Sequence, residues 1–332
     1  MNATTPGSDA LRRFCAIYDE LVGRSKWYES RDVFRYAVMP LVLASGTPAE
    51  VSERLHATIK DLRALTKWYS GIRGSQSTLI AANLVMANQP AREFLEQIKR
   101  AKPWFRSRWH FASDTYQSLA VMVLWLSEES GKALGALREE DVARMETVWR
   151  AMKKDHPWIT SQSDWPVSAL LVGRSQRSAE LAARVESHYV ELHRREFRRG
   201  DALQNAAMIL ALQEGTPNQL GARFQSLYGS FKSAGLYMQS SDYAEIAVLC
   251  MAPSEGTPLV ERVRGHREVL RALKPKPARQ TSFRLACATA VLEALGNSPK
   301  ATLAARAAGI CQIVMLIHEQ RQRAAAGASA AT

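Results

Sequence analysis

Residues 200–212, GDALQNAAMILAL, are a short polar start followed by an apolar helix rich in small residues. The same composition returns as QSTLIAANLVMA from 76, SDTYQSLAVMVLWL from 113, SDWPVSALLVG from 163, SDYAEIAVLCM from 241 and TSFRLACATAVLEAL from 281. With Ser77, Asp114, Asp164, Asp201, Asp242 and Ser282 as starts, the spacings are 37, 50, 37, 41 and 40 residues. Each start offers a Ser or Asp oxygen that is expected to cap the helix after it. Alanine in these segments allows close helix approach. A more charged amphipathic helix follows each one, at 90–101, 139–154, 178–197, 218–234, 257–273 and 298–320. A two-helix unit of about 40 residues lies in the range of stacked helical repeats, in which neighbours bury what a single pair leaves open. The long second spacing follows from the linker EESGKALGALREED at 128–141. An ordinary globular helical domain with six similar pairs is the alternative.

Working outward, Leu11, Phe14, Cys15, Tyr18, Leu21 and Val22 form an apolar stripe at steps of three and four. Thr47, Pro48 and Glu50 make a helix start, with an N-cap, a proline in the first turn and a capping-box glutamate. No stretch alternates apolar and polar residues with β-branched character and hairpin turns. The expected fold is therefore all-α, with stacked antiparallel helix pairs, either α-solenoid-like or a compact array, and no significant β-sheet. N-terminal helices at 10–70 run into a pair region at 71–320, with residues 1–9 and 321–332 expected to be disordered.

Apolar residues are 46% and charged residues 23% of the 332, which is globular composition. The longest apolar run, Leu119 to Leu126, is far short of the roughly 20 residues that cross a membrane, so no membrane association is expected. The start MNATTPGSDALRRF carries no signal pattern. Cys15, Cys250, Cys287 and Cys311 are scattered through apolar helical stretches, as buried thiols in a reducing compartment would be. A cytoplasmic protein is expected.

Three segments, 68–86 (WYSGIRGSQSTLIAANLVM), 152–171 (MKKDHPWITSQSDWPVSALL) and 200–212, resemble those shared by a bacterial family grouped as a domain of unknown function. The likeness runs over about residues 10 to 295. It implies an all-helical fold and carries over no activity or site residue.

Net charge is +12, from 44 basic and 32 acidic residues, and the excess is local. In IKRAKPWFRSRWHF, Lys99, Arg100, Lys102, Arg106 and Arg108 interleave with Trp104, Phe105, Trp109 and His110. Basic groups neutralise phosphates and aromatic faces stack on bases, so the segment suits single-stranded nucleic acid or a phosphorylated ligand. It equally suits a connector with buried aromatics and snorkelling arginines. Residues 262–284 hold eight basic groups against Glu268, without aromatics. Further aromatics, Trp68, Tyr69, Trp158, Phe197 and Tyr237, precede the apolar helices and form either a recognition rim or plugs between pairs.

No cofactor or metal is called for. There is no GxxxxGK[ST], no strand followed by GxGxxG and no GxSxG; Glu53–His56 is a lone ExxH, and His188 and His193 are set apart around a helix. The preferred reading is a non-enzymatic helical scaffold that binds an acidic protein partner through a basic, aromatic-bearing face. Nucleic-acid binding through Lys99–His110 is the first alternative, and a helical enzyme with an unrecognised site is the second.

Overall fold

A computed structural model describes residues 9–25, 31–67, 70–108, 114–127, 135–173, 177–236, 238–253, 256–296, 298, 300–310 and 314, excluding the side chains of 106–108. Both ends expected to be disordered fall largely elsewhere: residues 1–8 and 321–332 lie outside the described residues. The helices are α1 (Asp9–Arg24), α2 (Arg31–Leu41), α3 (Pro48–Leu65), α4 (Ser75–Met86), α5 (Ala91–Arg108), α6 (Asp114–Leu126) and α7 (Glu139–Asp155). After them come α8 (Trp165–Val172), α9 (Ser178–Arg194), α10 (Asp201–Ala211), α11 (Pro217–Ser233), α12 (Tyr243–Leu249), α13 (Thr257–Arg271) and α14 (Arg279–Leu295). A fifteenth helical run, α15, covers 300–310. The fold is all-α, with no strand among the described residues.

The two kinds of helix take two positions. In α6, α8 and α12 nearly every residue is buried, so these helices are enclosed on all sides. By contrast α3 buries the single stripe Val51, Ser52, Leu55, Ile59 and Leu62, and α13 buries Leu259, Val260, Val263, His266 and Leu270. Even-numbered helices pack in sequence, α2 on α4, α4 on α6, and so on to α14, while odd-numbered helices pack outside them. The series closes on itself, because α14 also packs on α1 and α2. At the seam the Tyr18 hydroxyl donates to the Lys274 carbonyl (3.3 Å), the Arg35 guanidinium donates to the Pro275 carbonyl, and the Tyr36 hydroxyl meets Thr281 Oγ1 (3.4 Å). The array is thus a closed ring of seven inner helices, rather than an open solenoid.

Seven helices spaced about 8–10 Å apart enclose an axis about 9–12 Å from each, which is room for one more slim helix. The burial and the neighbours of α15 fit that place, although its sequence pattern groups it with the amphipathic outer helices. Its first turns border the same chamber as the ends of α8, α10, α12 and α14, and Ala308 borders a small cavity with Glu245, Val248, Arg284 and Cys287. Ala301, Ala304, Ala305, Ala307, Ala308 and Ile310 are buried, whereas Thr302, Leu303 and Arg306 are partly exposed and line that chamber. Alanine suits this place because larger side chains would not fit between the ring helices.

Helix ends are managed by two devices. The boxes Thr47–Glu50 and Thr216–Gln219, each with a proline at the next position, start α3 and α11; Thr47 N–H donates to Glu50 Oε2 at 2.8 Å. Inner helices start differently from expectation. Gly74, Gly200 and Ala278 stand at the N-caps of α4, α10 and α14 without side-chain caps, and Ser77 and Ser282 donate backwards to carbonyls. Asp164 and Asp242 each close a preceding 3₁₀ turn by accepting from the N–H of Ser161 (2.7 Å) and Gln239 (2.9 Å). At the other end, an arginine from the preceding outer helix caps the inner helix. Arg13 donates to Val42 O (2.9 Å) beyond α2, Arg184 to Ala211 O (3.1 Å) on α10, and Arg223 to Ala252 O beyond α12. Free carbonyls and the helix dipole both favour a cation there, so part of the basic excess is structural.

Candidate functional site

Helix α5 divides its residues between two environments. Phe94, Ala101 and Phe105 are buried, and Phe105 lies against Trp165 with ring centroids 5.5 Å apart. Arg92, Leu95, Glu96, Lys99 and Lys102, at steps of three and four, face a cleft of about 540 Å³. Its other wall is the end of α3 with Thr66 and Lys67, the turn with Ser70 and Ile72, and Asp114 at the start of α6. Arg73 holds that turn by donating to the carbonyls of Arg63 and Thr66 (2.7 Å to the latter). Gly71 is required for the close approach, since a Cβ there would lie 2.9 Å from Asp114 Cβ and 3.1 Å from Thr115 N.

Four cations, Lys67, Arg92, Lys99 and Lys102, therefore surround the cleft with two carboxylates, Glu96 and Asp114. Lys99 Nζ pairs with Glu96 Oε1 at 2.7 Å, but both side chains are well exposed and water screens the pair. Arg92 and Lys102 have no hydrogen-bond or ion-pair partner among the described residues.

Of the residues singled out in the sequence, Lys99 and Lys102 share this cleft, Arg100 is exposed away from it, and Trp104 is half-buried against the core. Arg106 and Arg108 belong to α5, but their side chains lie outside the described residues, as do Trp109 and His110. Lys67 and Arg92 were missed, because they become neighbours only when α3 and α5 pack. Among the other aromatics, Phe197 is buried in T-shaped contact with Phe224 (4.8 Å) and Tyr243 (5.4 Å), whereas Trp158 is 96% exposed. Trp68, Tyr69 and Tyr237 lie outside the described residues. The second basic stretch is partly internal: Arg284 is buried 3.6 Å from Glu245, and Arg262 lies 3.8 Å from Glu293.

Buried titratable groups elsewhere are structural in placement. Burial pushes Asp164 up to about 7, against the opposing hydrogen bond from Ser161, and pushes Glu245 up to about 7 despite Arg284. Burial lowers His188 and His266 to about 4. His56 Nδ1 lies 2.9 Å from the Ser52 carbonyl, one turn back. Desolvation raises the Cys15 thiol to about 11 and Cys287 well above its usual value, so neither is an activated nucleophile. Cys311 lies outside the described residues. No group of three His, Cys, Asp or Glu that could hold a metal ion occurs among the described residues, and none of their helices is long and apolar enough to cross a membrane.

Residues 17–319 match the family model described as "Protein of unknown function (DUF4003)". The chain belongs to this family. The chain is also 24% identical over 249 residues to the uncharacterized protein YeaA of Bacillus subtilis (strain 168), covering 73% of this chain and 72% of YeaA. No solved structure matches. Membership in DUF4003 agrees with the resemblance read from the three helical segments, and it brings no assigned activity.

Proposed function

We propose that the protein binds an acidic segment of a protein partner in the cleft between α3 and α5. The observation that carries this reading is the pair Arg92 and Lys102, two cations that face one cleft and make no ion pair among the described residues. Lys67 and Lys99 add to the positive potential, which the net charge of +12 extends over longer range. The cleft is walled by Leu65, Ile72, Leu95 and Ile98, giving apolar contact beside the charges. This replaces a broad aromatic-bearing face with a smaller site on one side of the ring.

The test is the affinity of a fluorescently labelled oligoglutamate peptide for the full chain, measured by anisotropy at low and physiological salt. Arg92→Glu with Lys102→Glu is expected to weaken it at least tenfold and to leave the thermal midpoint in place, because neither side chain supports the fold. Unchanged affinity in the double variant rejects the reading. Tighter binding of a single-stranded oligonucleotide, with a steep salt slope, assigns the cleft to nucleic acid instead.

A further inference from the structure

A second cavity, of about 580 Å³, lies at the end of the ring where the inner helices finish, with Leu220 and Arg223 of α11 in its lining. That volume is within the range of small-molecule pockets. Leu170, Leu212, Met251, Leu295 and Leu303 give it an apolar wall, and Arg306 of α15 lines it as well. Lys300 and Glu214, 3.7 Å apart and both exposed, pair where the chamber meets solvent.

Arg306 differs from the other arginines near this end. Arg13, Arg184 and Arg223 donate to helix-end carbonyls. Arg306 makes no hydrogen bond or ion pair among the described residues, and its Nε is buried without a partner. Desolvation lowers its pKa to about 10, which still leaves it protonated at neutral pH. A cation taken from water without a counter-charge is unfavourable, and an incoming anion would relieve that. A guanidinium offers a planar fork that matches a carboxylate or phosphate.

We infer that this chamber binds a small amphiphilic anion, its headgroup on Arg306 and its apolar body against Leu170, Leu212, Met251 and Leu295. The site is separate from the α3–α5 cleft, with which it shares no lining residue.

The experiment titrates octanoate, octyl phosphate and octan-1-ol into the full chain, followed by calorimetry and by the thermal midpoint. Both anions are expected to bind at least tenfold more tightly than the alcohol and to raise the midpoint. The stronger of the two identifies the headgroup as carboxylate or phosphate. Arg306→Met is expected to abolish the preference for anions without lowering the midpoint of the unliganded protein. Should that variant fail to fold, Leu303→Trp, which fills the chamber and keeps the charge, is expected to exclude all three compounds. Equal binding of alcohol and anions, no saturable binding of any, a preference that survives in Arg306→Met, or undiminished binding in Leu303→Trp overturns the inference.

Discussion

The guanidinium of Arg35 on α2 donates to the main-chain carbonyl of Pro275, 240 residues further along the chain. Arg35 is 2% exposed, pairs with the exposed Asp32, and lies 5.9 Å over the ring of Tyr18. The bond spans the seam at which the first helices meet α14, so it tests whether closure stabilises the ring. Arg35→Met keeps the length of the side chain and removes the donor. It is expected to cost about 2–4 kcal/mol, as lost hydrogen bonds to a buried charged group do. Urea unfolding measures this, and a loss below about 1 kcal/mol would mean that apolar contact holds the seam.

Gly71→Ala brings a methyl group against Asp114 and the backbone of Thr115, neither of which is the far end of a flexible chain. The turn must move away from α6. An overpacking cost of about 1–3 kcal/mol in thermal or urea unfolding is expected. Because Ser70, Ile72 and Asp114 line the cleft, the same variant should also weaken oligoglutamate binding.

The placement of α15 predicts unequal responses to one substitution. Ala305→Leu, at a site 1% exposed within the ring, is expected to destabilise by about 1–3 kcal/mol. Ala183→Leu on the exposed side of α9 should stay within about 0.5 kcal/mol of the parent. Equal effects would place α15 outside the ring.

Buried groups set two opposing pH dependences. Asp164 titrates near 7 when folded and near 3.8 when unfolded, so the folded state holds an extra proton between these values. Its contribution to stability therefore falls as pH rises from about 4 to 7, then levels off. His188 titrates near 4 when folded and 6.5 when unfolded, so stability rises with pH across that interval. Asp164→Asn removes the falling part. Relative to the parent, this variant should gain about 1–3 kcal/mol between pH 4 and 7.5, measured by urea unfolding at each pH. His188→Phe should gain relative stability in the opposite direction, towards acid.

Arg106→Glu with Arg108→Glu tests the nucleic-acid alternative. On the acidic-peptide reading the variant keeps oligoglutamate affinity within about threefold, because that reading rests on Arg92 and Lys102. Loss of single-stranded oligonucleotide retention at low salt, with the peptide unaffected, would show a separate nucleic-acid site on the same helix.

What could be read in advance was whatever depends on neighbours along the chain. The apolar helix at 200–212 and the capping box at Thr47 are local patterns, and both stand in the structure. Cap chemistry at the inner-helix starts was less legible, because Asp164 and Asp242 serve the turn before the helix. Ring closure rests on partners such as Arg35 and Pro275, whose separation no periodicity encodes. The cleft was half visible: Lys99 and Lys102 share a helix face, whereas Lys67 joins them through packing. The pattern at 298–320 reads as one more amphipathic helix, because an alanine-rich helix looks alike on a surface and in a narrow lumen.

The order of the chain adds something to the position of α15. It follows all seven inner helices and the outer ones packed on them, so synthesis from the N-terminus produces the wall before its filling. Until that segment emerges, the inward faces of α12 and α14, with Glu245 and Arg284 among them, border an unfilled lumen. A nascent chain in that condition offers greasy surface to chaperones and proteases, and insertion of a single short helix ends its exposure.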